Sequence, residues 1–189
     1  MEKQLTKPIT TSTLGVRKKS PGSKNPFASE SVIKFLNYRI EMEEASSRLY
    51  EAMSLWLDNE GYLGAAKALK KDADDEMTHA QWAKQYLLDM GIQPTLPALP
   101  KPEQNFSGLE QIFQKSYDHE IMVTEQCNEL ATKAMKSGDH LLYQLASKYL
   151  AEQQEEIGKA ITRLDRISII GTEKTALLLL DQELGEGEL

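Results

Sequence analysis

The stretch DDEMTH, residues 74–79, lies in the middle of a long, alanine-rich segment with helical periodicity. Glu76 and His79 are three residues apart, so on an α-helix their side chains share one face and can reach the same small cation. A Glu-x-x-His pair that projects into a helix bundle is a recurrent way of holding iron or manganese. Because one such pair is common by chance, the prediction of a metal site depends on further ligands from other helices.

Composition and charge indicate one soluble globular domain. The chain has 189 residues, of which 40% are hydrophobic and 27% are charged, a balance typical of folded proteins. Its formal net charge of -7 argues against nucleic acid as a partner of the whole molecule. Cys127 is the single cysteine, which excludes an internal disulfide and a cysteine-based zinc cluster, and fits a reducing compartment.

Residues 1–25 form a basic segment that differs from the rest of the chain. Their lysines and arginines face a single acidic residue, Glu2, and they show no lasting apolar period. We predict a flexible basic extension without a secretory signal, and no later segment has the length of a membrane span, so we expect a cytoplasmic protein. We interpret the extension as a solubilising tail, and its charge leaves nucleic acid or a protein partner as alternatives.

Four long segments of helical periodicity follow the extension. A glycine or a turn ends each of them, and Asp139 is placed to cap the fourth. A capping box formed by Ser107 and Glu110 predicts the start of the third. The predicted helices cover about residues 26–60, 62–90, 107–136 and 139–170. Residues 172–184 predict a minor fifth helix, so the folded domain spans 26–184 and an acidic tail spans 185–189.

The connection between the second and third helices is long and rich in proline. Residues 91–107 contain prolines at positions 94, 97, 100 and 102, so they cannot be helical. In a polyproline-like conformation, at about 3.1 Å per residue, this segment extends roughly 50 Å. A helix of about 28 residues is roughly 42 Å long, so the connection can cross the full length of a bundle. We therefore expect the second and third helices to run parallel.

Each predicted long helix carries one polar, metal-competent residue in the middle of its apolar stripe. These residues are Glu43, Glu76, Glu120 and Gln153. His79 follows Glu76 by one helical turn, and Glu156 follows Gln153 by one turn. Each of the four lies about 15 to 18 residues from the turn of its hairpin, which places all four at one level of a bundle.

Carboxylates at one level of a core need compensation, because an unpaired buried charge is very unfavourable. A bound pair of divalent cations accounts for the four groups together. Ligation rich in oxygen with a single imidazole suits iron or manganese rather than structural zinc. The alternative is that some carboxylates lie on a solvated face, since Glu41, Glu44 and Glu155 stand close by.

These motifs resemble those of the bacterial non-haem ferritins over about residues 33–184. The resemblance rests on Glu43 and on the segments DADDEMTH (72–79), YDHE (117–120) and AEQQEE (151–156). The long crossover and the short fifth helix add to it. The resemblance implies an all-α, ferritin-like four-helix bundle with a long crossover between the second and third helices and a short C-terminal fifth helix.

The resemblance also implies a di-iron ferroxidase centre without haem. Glu43 and His79 would serve one iron, and Glu76 would bridge the two ions. Glu120 and Glu156 would serve the other iron.

Further residues near the centre correspond to positions of the family. Gln153 matches a glutamine of the fourth helix, and Tyr50 matches a tyrosine that is hydrogen-bonded near the centre. A third, looser iron site corresponds to Asp75, Glu152 and Glu155. Asp75 replaces the usual glutamate there and has a shorter reach. His119 adjoins Glu120 but lies about 100° around the helix, so we expect it at the surface or at an interface.

The function implied by the resemblance is iron storage with ferroxidase activity. Fe(II) would be oxidised by O2 or H2O2 and stored as mineral inside a shell of 24 identical subunits. One alternative is a di-iron or di-manganese oxidase that does not store metal. The other is a DNA-associated protective shell that uses residues 1–25 to bind phosphate backbones.

Overall fold

The computed structural model describes residues 29–187, which form five α-helices. The helices are α1 (Glu30–Glu60), α2 (Leu63–Asp89), α3 (Leu109–Ser137), α4 (His140–Ile170) and α5 (Lys174–Glu186). The prediction of an all-α fold with four long helices and a short fifth helix is confirmed. α5 includes residues 185 and 186, which the sequence analysis assigns to the tail. The predictions for residues 1–25 lie outside the described residues, and no helix within 29–187 is long and apolar enough to cross a membrane.

Side chains and glycines at the helix ends explain where most helices begin and end. The hydroxyl of Ser29 accepts a hydrogen bond from the backbone N–H of Val32 at 3.3 Å and so caps α1. Gly61 follows α1 with a φ of 90°, a left-handed conformation that suits glycine. The carboxylate of Asp139 accepts a hydrogen bond from the N–H of Leu142 at 3.1 Å, which confirms the predicted cap of α4.

The start of α3 differs from the prediction. Gly108 precedes its first residue, and no side chain caps the helix. The backbone N–H and the hydroxyl of Ser107 both donate to Oε1 of Gln111, at 2.6 and 3.0 Å. Gln111 therefore takes the place that the predicted capping box gives to Glu110, and that prediction is wrong by one residue.

The long helices pack as two antiparallel hairpins, α1 with α2 and α3 with α4. Between the hairpins, Arg39 of α1 donates to Gln126 of α3 at 2.8 Å. Further along α1, Ser46 contacts His119 of α3. Residue numbers rise along α1 where they fall along α3, so these two helices are antiparallel. It follows that α2 and α3 run parallel, as predicted.

Residues 90–108 connect α2 to α3 by running along α1. Near the start of α1, the backbone N–H of Thr95 donates to Oδ1 of Asn37 at 2.7 Å. Near its end, the ring of Phe106 packs edge-on against Trp56, with centroids 5.9 Å apart. Asn37 and Trp56 are roughly 28 Å apart along the helix, at about 1.5 Å per residue. The connection is therefore the predicted full-length crossover.

The core consists of two apolar clusters separated by polar residues. One cluster includes Leu57 and Phe113 together with residues of α5. The other includes Leu36 and Leu142 near the opposite end of the bundle. Between them lies a layer of buried polar side chains, which we call the polar layer. It is formed by Arg39, Glu43, Glu76, His79, Glu120 and Gln153.

α5 packs against the start of α2 at a point where each helix has a glycine, Gly185 in α5 and Gly64 in α2. The carboxylate of Asp181 accepts hydrogen bonds from the backbone N–H groups of Gly64 at 3.1 Å and Ala65 at 2.8 Å. These are N–H groups that the first turn of a helix leaves without a partner. A Cβ atom on Gly64 would collide with the backbone carbonyl of Asp181, and Gly185 lies directly against Gly64. This close crossing requires glycine at position 64.

We predict that Gly64→Ala displaces α5 and lowers the free energy of unfolding by about 1–3 kcal/mol, because the added methyl group overpacks the crossing. The midpoint of thermal unfolding measures the effect. Gly158→Ala is the matched control, since an added Cβ at this exposed position of α4 has nothing within 4 Å. Alanine there should be neutral or stabilising by up to about 1 kcal/mol. Equal midpoints for the two variants would contradict the docking of α5 at Gly64.

Candidate metal centre

The polar layer brings together potential ligands from all four long helices. Glu43 comes from α1, Glu76 and His79 from α2, Glu120 from α3 and Gln153 from α4. Their exposed fractions lie between 0% and 5%. The structure therefore buries these residues together and does not place them on a solvated face.

Glu43, Glu76 and His79 form a first group whose ligand atoms all lie within 4.8 Å of one another. Two carboxylates and an imidazole at this spacing can surround one divalent cation. Nδ1 of His79 lies 3.1 Å from Oε2 of Glu76, the contact that their spacing of three residues predicts. The backbone carbonyl of His79 accepts a hydrogen bond from Tyr149 of α4 at 2.7 Å, which joins α2 to α4 at this level.

Glu76, His119 and Glu120 form a second group, again with ligand atoms within 4.8 Å of one another. Glu76 therefore belongs to both groups. A carboxylate has two oxygens and several lone pairs, so one shared carboxylate can face two cations at once. The arrangement fits a two-metal centre with Glu76 between the two positions.

Tyr50 and Gln153 orient the carboxylate of Glu120. The hydroxyl of Tyr50 donates to Oε1 of Glu120, and Nε2 of Gln153 donates to Oε2 at 2.7 Å. Burial raises the pKa of Glu120 to about 7, although both hydrogen bonds lower it. Burial and the charge of Glu120 also raise the pKa of Tyr50 well above its usual value, so the phenol remains a donor.

The carboxylate of Glu76 carries the strongest electrostatic conflict of the centre. Burial raises its pKa well above the usual value, and the neighbouring Glu43 and Glu120 raise it further. Three carboxylates this close cannot all be ionised unless cations compensate them. In the metal-free protein the raised pKa of Glu76 favours its protonated form, and a divalent cation is able to replace that proton.

Arg39 is a buried cation of the polar layer that the sequence analysis missed. Its guanidinium pairs with Oε1 of Glu43 and lies 5.1 Å from the ring centroid of Tyr149. Oε2 of Glu43 is also buried, and Glu43 faces the carboxyl of Glu76, whose pKa it raises. Arg39 thus compensates one carboxylate and leaves one of its oxygens available to a cation. The sequence feature that could have predicted this pairing is the spacing of four residues between Arg39 and Glu43, which puts them on one helix face.

His119 is half-buried against the centre, so the expectation of a surface position is wrong, and a position at an interface stays a prediction. Its ring packs edge-on against Tyr50 with centroids 5.7 Å apart, and its Nε2 lies 2.6 Å from Oγ of Ser46. Burial lowers the pKa of His119. The position of His119 relative to the buried residues of α3 could have predicted this location. His119 follows Ser116 by three residues and precedes Val123 by four, so it flanks the same buried face.

A cavity of about 260 Å³ beside the centre gathers the residues of the predicted third site. Its lining includes Asp75, Glu152, Glu155, Glu156 and His79, together with Lys71 and Lys159. The ammonium group of Lys159 pairs with Oε1 of Glu156 at 2.7 Å. Glu156 is half-buried and belongs to neither three-ligand group. Its role as a ligand of the second metal stays a prediction.

The donor set of the centre fits iron or manganese. Carboxylate oxygens outnumber imidazole nitrogens in both groups, and such ligation suits these metals better than structural zinc. Cys127 is buried nearby, but burial raises the pKa of its thiol to about 11, so it is a poor ligand. Fold and centre together define the class of helix-bundle proteins with a carboxylate metal centre.

Comparison with known proteins narrows this class to one family. Residues 33–170 match the ferritin-like domain family. The chain is 35% identical over 153 residues to a bacterial non-heme ferritin of Escherichia coli, covering 81% of this chain and 93% of that protein. It is 33% identical over 157 residues to a probable bacterial non-heme ferritin-like protein of Haemophilus influenzae, covering 83% of this chain and 95% of that protein. The chain belongs to the ferritin-like family.

Solved structures agree with this assignment. The open pore ferritin from the archaeon Archaeoglobus fulgidus superposes with a TM-score of 0.82 at 31% identity, covering 84% of this chain and 97% of that one. A humanized archaeal ferritin gives the same TM-score and identity and covers 84% of this chain and 96% of that one. The predicted ferritin-like bundle is therefore confirmed.

The raised pKa of Glu120 predicts that the metal-free protein loses stability as pH rises. Its carboxyl takes up a proton on folding, since its pKa is about 7 in the folded protein and 4.5 ordinarily. The stability linked to this proton is fully present below about pH 4.5 and is lost as pH rises through about 7. We expect the unfolding midpoint of the metal-free protein to fall between about pH 5 and about pH 8.

Glu120→Gln serves as the comparison, because glutamine keeps the shape of the side chain and does not titrate. This variant should show a flatter dependence of the unfolding midpoint on pH. A divalent cation should raise the midpoint of the wild-type protein most at the alkaline end. Identical pH profiles for the wild-type protein and the variant would contradict the assignment to Glu120.

Proposed function

We propose that this protein is an iron-storage ferroxidase that oxidises Fe(II) in the polar layer and retains the Fe(III) as mineral. The observation that carries the proposal is the pair of three-ligand groups that share Glu76. Two Fe(II) ions on either side of one carboxylate can each give an electron to a single oxidant molecule. The names of the relatives, bacterial non-heme ferritins, support iron rather than manganese.

Each proposed iron ligand has a distinct part in this proposal. Glu43 and His79 bind the first Fe(II) ion, and Glu76 bridges it to the second. Glu120 binds the second ion, and Glu156 joins it from the neighbouring cavity. Anionic oxygen ligands favour the product, because Fe(III) gains more than Fe(II) from negative charge.

The oxidant is O2 or H2O2. Two Fe(II) ions supply two electrons, which with two protons reduce O2 to H2O2 or reduce H2O2 to two molecules of water. Tyr50 and Gln153 act as positioning residues, because they hold both oxygens of Glu120 by hydrogen bonds. The bundle excludes bulk water from Glu43, Glu76, His79 and Glu120, which are almost completely buried.

The cavity beside the centre offers a route for iron. Its acidic residues attract cations, and we propose that they form the third, looser site. The ligands of this site are Asp75, Glu152 and Glu155. Lys71 and Lys159 line the same cavity and reduce its negative charge, which favours weak binding and onward movement.

Storage requires an enclosed assembly. We propose a cytoplasmic shell of 24 identical subunits, as the resemblance to bacterial non-haem ferritins implies. Subunits of 21.3 kDa would give such a shell a mass of roughly half a megadalton. A non-storing oxidase would use the same ligands, but the ferritin relatives favour storage. The DNA-binding alternative rests on residues 1–25, which lie outside the described residues.

Oxidation kinetics test the proposal. Two Fe(II) ions per subunit are added anaerobically, O2 is admitted, and the absorbance of Fe(III) is followed. Glu76→Gln and Glu43→Gln should each lower the initial rate at least about tenfold, because each removes a negative charge from the centre. Glu41→Gln, at an exposed position of the same helix as Glu43, should keep the wild-type rate. A wild-type rate in Glu76→Gln would refute the centre.

Adding iron to the wild-type protein in large excess over two ions per subunit tests storage. The wild-type protein should elute as a particle of roughly half a megadalton that carries far more iron than two ions per subunit. A small oligomer with no more than two ions per subunit would support the non-storing oxidase instead.

A further inference from the structure

His119 belongs to the second three-ligand group but matches none of the ligand positions predicted from the sequence. One of its ring nitrogens and one carboxylate oxygen from each of Glu76 and Glu120 lie within 4.8 Å of one another. The first group has the same composition and meets the same limit of 4.8 Å, with His79 in the corresponding part. The two halves of the centre are thus alike: each contains two carboxylates and one imidazole.

The hydrogen bonds of Ser46 suit the tautomer of His119 in which Nε2 carries the proton. Oγ of Ser46 lies 2.8 Å from the backbone carbonyl oxygen of Met42 and can donate its one hydrogen there. The same Oγ lies 2.6 Å from Nε2 of His119. With that hydrogen on the Met42 carbonyl, Oγ accepts the second bond from a protonated Nε2. In a neutral imidazole the other nitrogen, Nδ1, then keeps its lone pair.

This pattern of hydrogen bonds is the one that metal-binding histidines usually show. One ring nitrogen binds the metal, and the other donates its N–H to an oxygen that fixes the tautomer and the orientation of the ring. Tyr50 holds the ring from another side, at an interplanar angle of 89°. Because Tyr50 also donates to Glu120, the same residue orients both the imidazole and the carboxylate of the second group.

We propose that His119 is an additional nitrogen ligand of the second metal position, so that each of the two iron ions has one imidazole. The inference rests on the proposed function, since it adds a ligand to the same centre. An imidazole strengthens the binding of Fe(II) at a position that otherwise depends on carboxylates. The second position should therefore fill at Fe(II) concentrations close to those that fill the first.

The test measures metal binding rather than activity and uses Co(II), which O2 does not oxidise under mild conditions. The full-length, metal-free protein is titrated calorimetrically, and X-ray absorption then counts the imidazoles around the metal. The wild-type protein should bind two Co(II) ions per subunit at the centre, with one imidazole per ion on average. His119→Gln keeps an N–H donor for Ser46 but removes the imidazole. It should weaken one of the two sites roughly 10- to 100-fold and halve the imidazole count.

Two further variants separate ligation from packing. His140→Gln replaces an exposed histidine at the start of α4 and should bind Co(II) like the wild-type protein. Ser46→Ala removes the oxygen that supports the Nε2-protonated tautomer of His119 and should weaken the same site as His119→Gln, but by less. Unfolding midpoints check that each variant is folded.

The outcomes distinguish this inference from the proposed function. If His119→Gln binds two Co(II) ions with wild-type affinity and an unchanged imidazole count, His119 only packs against Tyr50 and Ser46. The inference is then overturned while the proposed function stands. If the wild-type protein itself fails to bind two ions at the centre, both are overturned.

Discussion

The burial of three carboxylates at one level of a helix bundle is the constraint on which the rest of the structure depends. Glu43, Glu76 and Glu120 approach one another in a place where water cannot screen their charges. Such a cluster persists only with compensating cations or protons. Arg39 supplies one permanent cation beside Glu43, and burial raises the pKa of both Glu76 and Glu120, which favours their protonated forms. Divalent metal ions can replace those protons.

The fold sustains this unfavourable layer by placing it between two apolar clusters. The clusters at either end of the bundle bury the aliphatic and aromatic side chains that stabilise the chain. The crossover along α1 makes α2 and α3 parallel, which allows ligands of all four helices to meet at one level. Hydrogen bonds from Tyr50, Gln153 and Tyr149 then join neighbouring helices across the layer. The apolar clusters near the two ends of the bundle stabilise the fold, and the candidate metal ligands lie in the polar layer between them.

Helical periodicity was enough to predict the long helices and the buried positions of Glu43, Glu76, Glu120 and Gln153. Each of these residues interrupts an apolar stripe, and a stripe defines an angle around the helix axis. Arg39 and His119 escaped prediction because they lie on the flanks of their stripes, where the angle alone does not distinguish solvent from core. Long side chains such as these reach several ångströms sideways, so their destination depends on the facing helix. Contacts such as that of His119 with Ser46 of another helix are invisible to periodicity.

The most direct test of the account is a crystal structure of the protein loaded anaerobically with Fe(II), with iron located by anomalous scattering. We expect two iron ions per subunit inside the polar layer, one near Glu43 and His79 and the other near Glu120, with Glu76 between them. Iron bound only at the surface, or a polar layer still closed by Arg39 and protonated carboxylates in iron-saturated crystals, would contradict it.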